Sequence, residues 1–224
     1  MVMLTVIIPV TPDRIHEITT AASSARQPNV EVLVVVDGTW SGDVSGADTV
    51  IVLGRNYGVG TARVVGALHA RHDLLFFLDS DDTMIPGAAA RAIDDLNRYV
   101  AVLYRARGAS AVTEPEFEAG VLARGSIADH WAEHGITSHI AHMAVRRDAL
   151  LSVGGFTGLP RMEDWLTWAA INERYEVLVS DFIARTYTEH PGQVTAAAWP
   201  EWITGLAAVW IPALRAARTN GSWR

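Results

Sequence analysis

Strand-like and helix-like segments alternate over about the first 105 residues, and this alternation predicts an α/β fold: a doubly wound, mostly parallel sheet flanked by helices. Two further observations support it. The runs Val30–Val36 and Leu74–Leu78 are almost wholly apolar, the pattern of strands buried on both faces rather than of strands with one wet face. Both run straight into carboxylates, Asp37 and Asp79, at the sheet edge where open α/β sheets bind ligands.

The elements follow in order. Residues 4–10 read as the first strand. Pro12 and Asp13 open a helix to about residue 26, with Ile15, Ile18, Ala22 and Ala25 at helical spacing, and Pro28-Asn29 ends it. After the second strand, Thr49–Leu53 makes a short third one. Gly58–Ala70 is rich in small residues and reads as a helix packed tightly on the sheet, with Ala62, Val65 and Leu68–His69 inward. The fourth strand is 74–78, Pro86 starts a helix over 86–97, and Tyr99–Tyr104 is a fifth strand.

The second half is less regular. Residues 107–125 read as loop and Ser126–His134 as a short helix. Ile140–Val145 reads as a strand, and Arg147–Val153 as a helix closed by Gly154-Gly155. In Met162–Tyr175 an apolar stripe of Met162, Trp165, Leu166 and Ala169 marks a helix. Val177–Ser180 and Ile183–Thr188 read as two strands. The Trp-rich tail 199–218 reads as a helical segment broken at Pro212; it packs on the domain or on a second copy, making a homodimer. The chain is predicted as one domain over residues 1–195, with a nucleotide-binding half to 105 and an acceptor half after it, plus a small C-terminal helical appendage over 196–224.

Composition excludes several function classes. With 224 residues, half of them hydrophobic, a sizeable core is available. A net charge of -7 without a basic block argues against binding a nucleic-acid backbone. No cysteine means no disulfide, thiolate catalysis or Cys-bound zinc. No apolar run approaches the roughly 20 residues that span a bilayer. The start of the chain lacks the basic and small-residue marks of an export signal, which favours the cytoplasm.

Five groups of residues carry candidate chemistry, each with a plainer reading. Asp37 can accept hydrogen bonds from a ribose or base, or simply shape a turn before Gly38. Gly58-Val59-Gly60 before a helix, with Arg63 behind, can approach a phosphate closely; the plainer reading is tight helix–sheet packing. It also resembles half of a dinucleotide fingerprint, which would make the chain an NAD-linked oxidoreductase, although Arg63 stands where the third glycine belongs. Asp79-Ser80-Asp81-Asp82 puts three carboxylates within four positions. Such a cluster needs a counter-charge, for instance a divalent ion carrying phosphates, or it is a solvated turn. Glu163-Asp164 at a helix start is a candidate general base or ordinary N-terminal acid chemistry. There the helix dipole is expected to keep Asp164 ionised and to lower its basicity. His190, before Pro191-Gly192, is a candidate metal ligand or a surface histidine held in a turn.

Taken in order, these residues resemble the family 2 glycosyltransferases of the GT-A fold. The resemblance rests on Thr5–Pro9, Val35-Val36-Asp37, Asn56-x-Gly58-x-x-x-Ala62-Arg63, Phe77-Leu78-Asp79-Ser80-Asp81-Asp82, Arg146-Arg147 through Gly154-Gly155-Phe156, Glu163-Asp164-Trp165 and His190-Pro191-Gly192. It implies a nucleotide-sugar-dependent, hexosyl-type transferase that works with inversion on a hydroxyl acceptor, with a UDP-sugar as the expected donor. Pro9, Asp37, Arg63, Asp79 and Ser80 would meet the nucleotide. Asp81 and His190 would hold Mn2+ or Mg2+, Asp164 would be the base, and Asp82 and Glu163 would support them. Two positions depart from the family pattern: Gly38 stands where a second Asp is usual, and Thr11-Pro12-Asp13-Arg14 stands where the first loop carries Tyr-Asn or similar. A non-catalytic glycan-binding module on the same scaffold and a sugar nucleotidyltransferase are the other readings. The second fits poorly, because no Gly-rich basic loop follows the first strand.

Overall fold

The computed structural model describes residues 3–108, 112–113, 117–134, 143–159, 161–188 and 201–220. Four parallel strands make its first half: β1 (Leu4–Val10), β2 (Val30–Val36), β3 (Thr49–Val52) and β4 (Leu74–Phe77), in the spatial order β3-β2-β1-β4. The order reverses beside β1, so the C-terminal ends of β1, β2 and β4 border one crevice. Thr11–Arg14, Asp37 and Asp79–Asp82 all follow those ends.

Side-chain alternation divides the core in two. Val6, Ile8, Val34 and Phe76 face α1 (Ile18–Ala25) and α3 (Ala88–Leu96). Ile7, Leu33, Val35, Leu75 and Phe77 face the layer of α2 (Val59–His69), α4 (Ser126–His134), α5 (Arg147–Ser152) and α6 (Glu163–Arg174). Small residues let α2 lie close to the strands: a Cβ on Gly66 would stand 2.5 Å from Ile7 Cγ2. The inward face of α2 is therefore Ala62, Gly66 and Ala67, while Leu68 and His69, expected inside, are exposed.

Beyond β4 the sheet is mixed. It continues through β9 (Met143–Arg146), β6 (Ala101–Arg107), β10 (Val177–Thr186) and β5 (Thr83–Met84). β9 is antiparallel to both β4 and β6, and β10 is parallel to β6. The segment expected to be loop contains two short strands, β7 (Val112–Thr113) and β8 (Gly120–Leu122), each held by pairing to a longer strand rather than by its own composition. The two strands expected across 177–188 are a single β10. Its polar middle, Ser180-Asp181, is absorbed by register shifts between Val179 and Arg185.

The tail forms one helix, α7 (Glu201–Thr219), which runs through Pro212 instead of breaking there. The Pro212 ring removes one donor to the preceding turn, and the carbonyl it leaves belongs to exposed Ala208, which water can satisfy. Ile211 and Leu214 bury against the α4–α6 layer. Arg218 Nη2 donates to Asp129 Oδ1 at 2.6 Å, and its Nε stands 3.4 Å from Glu173 Oε2 at the far end of α6. Asn172, fully buried there, accepts from the Ile127 N–H and donates to the Ala123 and Tyr175 carbonyls. Among the described residues no helix is long and apolar enough to cross a membrane.

Candidate active site

The acidic cluster leaves β4 in a tight turn in which the Asp82 N–H donates to the Asp79 carbonyl. Three arginines meet its three carboxylates. Arg63 Nη2 donates to Asp79 Oδ1 at 2.8 Å. Arg185 pairs with Asp82 and stands 3.8 Å from the other Asp79 oxygen. Arg14 Nη2 donates to Asp81 Oδ2 at 2.7 Å.

Each arginine arrives for a structural reason. Arg63 lies on the first turns of α2, over the Phe156 ring at 5.3 Å. Its Nη1 donates to Glu163 Oε1 at 2.6 Å, so one guanidinium ties Asp79 to the acid pair that opens α6. Burial alone would lower the Arg63 pKa, but Asp79, Glu163 and Asp164 around it hold it above the ordinary arginine value. Arg185 is opposite Met84 in the β5–β10 pairing, one residue beyond the cluster's neighbour Thr83. Burial pushes its pKa down to about 10, against the pull of Asp79 and Asp81. Arg14 closes a single 3-10 turn, Pro12–Arg14, after β1.

Asp164 stands at the start of α6. The preceding Met162 is a non-glycine residue at φ 64°, a strained conformation of the kind that gathers at functional sites. The Asp164 pKa is pushed up to about 7, first by burial and then by the neighbouring Glu163 charge, with Asp79 adding to it; Arg63 and the Trp165 N–H pull the other way. The sequence expectation of a strongly ionised, weakly basic Asp164 is thereby corrected. Removal from water and a like charge outweigh the helix end.

The remaining expected residues fall as follows. Asp37 is 3% exposed, and its two oxygens accept from the Tyr57 and Gly58 N–H groups at 2.7 and 2.8 Å. It therefore builds the loop that leads into α2. Pro9 is buried in β1 opposite Val35, and Ser80 is buried in the turn. Asp82 is 1% exposed, engaged by Arg185 and by the Thr188 N–H. Glu163 is buried on Arg63. His190 lies outside the described residues. Gly60 serves packing: a Cβ there would stand 2.1 Å from the Thr157 carbonyl oxygen. The two departures from the family pattern touch each other, for a Cβ on Gly38 would stand 2.5 Å from Pro12 Cγ.

Arg185 is the functional neighbour that sequence reasoning missed. Its signal was an arginine directly after the apolar run Phe182-Ile183-Ala184, inside a strand. Among the described residues no three His, Asp or Glu side chains converge as a metal-binding group. The donors present still suit one kind of ion. Asp81 and the 30%-exposed Asp79 carry carboxylate oxygens, the ligand type that Mg2+ and Mn2+ take, and each is held by an arginine in this structure.

Among solved structures, S. aureus TarS 1–349 in complex with UDP-GlcNAc superposes with a TM-score of 0.67 at 21% identity over 93% of this chain. The same fragment in complex with UDP gives 0.63 at 22% identity over 84% of this chain. A longer S. aureus TarS chain gives 0.63 at 20% identity over 98% of this chain. The chain spans 66%, 61% and 45% of those three chains. These likenesses establish a shared fold, that of the GT-A glycosyltransferase structures. No curated protein sequence matched the chain. A profile described as glycosyl transferase family 2 matches residues 5–154, from the first strand through the cluster to the turn after α5. The chain therefore belongs to glycosyl transferase family 2.

Proposed function

We propose that the protein transfers a sugar from a nucleoside-diphosphate sugar, a UDP-sugar, to an acceptor hydroxyl with inversion, and that Asp164 is the general base. The observation that carries this reading is Asp164 itself. It is a carboxylate with a pKa of about 7 at the head of α6, beside an arginine that reaches the acidic cluster after β4. A base poised near neutrality holds enough ionised form to accept a proton and enough basicity to take it. The UDP and UDP-GlcNAc bound to the TarS neighbours support the choice of nucleotide.

The acceptor oxygen attacks the anomeric carbon on the face opposite the diphosphate. As that C–O bond forms, the bond to the diphosphate oxygen breaks and its electron pair leaves with the nucleoside diphosphate. Asp164 takes the acceptor proton, so no protein nucleophile is needed. Arg63 holds Glu163 and Asp79 in register, which keeps the base and the donor's end of the pocket at a fixed separation. Asp37 and Pro9 border the base, and Asp79 and Ser80 the ribose. Asp81, with Asp79 and His190, would hold Mg2+ or Mn2+, which when bound neutralises charge on the departing diphosphate.

The test is thermal shift with UDP, GDP and dTDP, each with and without Mn2+, followed by UDP release from UDP-sugars. UDP is expected to raise Tm. The Asp164→Asn variant should keep that shift and lose about a thousandfold in turnover. Failure of every nucleotide to stabilise the protein in the presence of metal would sink the reading, and normal turnover by Asp164→Asn would sink the base assignment.

A further inference from the structure

The three arginines on the acidic cluster are not equivalent. The side chains of Arg63 and Arg185 are 9% and 5% exposed, enclosed between elements, whereas that of Arg14 is 30% exposed on a one-turn segment. Arg63 and Arg185 are built into the packing; Arg14 is the most exposed of the three. It is nevertheless well aimed. Its Nη2 lies 2.7 Å from Asp81 Oδ2, and its Nε donates to Glu17 Oε2 at 2.9 Å, so the planar fork is gripped from both sides.

The loop that carries Arg14 is also built for its position. The Pro12 ring fills the space that a side chain after Asp37 would need, since a Cβ on Gly38 would come within 2.5 Å of it. Pro12 opens the 3-10 turn that ends at Arg14, whose guanidinium lies on Asp81. Asp81 is the carboxylate on which a divalent ion would rest under the sugar-transfer reading.

We propose that Arg14 is a resident cation of the Asp81 site, competing with the divalent ion, so that the ion binds only as the guanidinium leaves the carboxylate. The proposal rests on the sugar-transfer reading for the choice of ion. Apparent affinity falls in proportion to the fraction of protein in the competent state. A pair formed about nine-tenths of the time thus weakens ion binding about tenfold.

Mn2+ binding to the nucleotide-free protein, read from the EPR signal of free Mn2+, tests this in wild type, Arg14→Ala, Asp81→Asn and the double variant, with circular dichroism to confirm folding. Arg14→Ala is expected to bind Mn2+ about tenfold tighter than wild type. In the Asp81→Asn background the Arg14 change should make no difference. Equal or weaker binding by Arg14→Ala overturns the proposal. So does an equal gain in the double variant, which would reveal general charge repulsion rather than competition at Asp81. UDP thermal shifts on the same proteins separate the two ideas. UDP binding without an Arg14 effect on Mn2+ overturns this inference and leaves the transferase reading standing; an Arg14 effect on Mn2+ in a protein that no nucleoside diphosphate stabilises does the reverse.

Discussion

Arg63 Nη1 stands 2.6 Å from Glu163 Oε1, across 100 residues of chain, and both side chains are nine-tenths or more buried. This contact joins the strand-end carboxylates of the first half to the helix-end carboxylates of the second. Arg63→Ala would strand Glu163 and part of Asp79 without their partner. Breaking a buried pair by removing one member costs about 3 kcal/mol or more. Urea unfolding should show that loss; a change below about 1 kcal/mol would mean the pair is decorative. Arg63→Lys, which keeps the charge but not the two-pronged fork, should fall between.

With Asp164 as the proposed base, activity and stability are expected to run in opposite directions with pH. The folded Asp164 pKa of about 7 lies above the ordinary 3.8. Between those values the folded state binds more protons than the unfolded one, so its contribution to stability, present in full below 3.8, is lost as pH rises towards 7. The ionised base accumulates over the upper part of the same window. The rate kcat/KM should therefore rise with pH and level off above an inflection near 7. Asp164→Asn should flatten both profiles, and in thermal unfolding at pH 8 it should be more stable than wild type. An unchanged stability slope would contradict the assignment.

Gly60 and Gly205 should respond to alanine with opposite signs. At Gly60 the new methyl would press on the Thr157 carbonyl, its oxygen at 2.1 Å and its carbon at 3.2 Å, with Glu163 Cβ at 3.4 Å. Either α2 or the segment before α6 must move, at about 2 kcal/mol, and activity should fall with it. At exposed Gly205 in α7 no heavy atom lies within 4 Å of the added methyl. Gly205→Ala should stabilise by about 0.5–1 kcal/mol. Paired Tm measurements read both signs.

Arg185→Met should be among the more damaging single changes in the chain. Asp82 is 1% exposed, and without Arg185 its charge would remain buried with the Thr188 N–H as its main support. A loss of about 3–5 kcal/mol is expected. Adding Asp82→Asn should recover part of it, because the stranded charge is then gone. Tm values of the single and double variants check this, and no recovery would show that packing rather than charge governs the site.

The acids of the site were legible in the sequence because strand ends and helix starts are local patterns: Asp37 after Val30–Val36, Asp79 after Leu74–Phe77, Asp164 at the head of a Trp-rich amphipathic helix. Their cations were much less so. Arg185 reaches Asp82 only because β10 lies antiparallel to the two-residue strand after the cluster, a pairing no local pattern announces. Arg14 was visible as a departure in the first loop, yet its target 67 residues away was not. The basicity of Asp164 was misjudged for the same reason: a helix start is local, whereas enclosure is tertiary. Pro212 read as a break because propensity is a local quantity, while packing of Ile211 and Leu214 carries α7 past it.

α6 works as a rigid shaft about 18 Å long, twelve residues at helical rise. Its head carries the acid pair. Its foot is bolted through Asn172 to the start of α4 and braced by Arg218 from α7. A slip of one residue at the foot would carry the head about 1.5 Å along the axis and swing it through about 100°. The aim of Asp164 is thus inherited from a joint at the opposite end of its own helix.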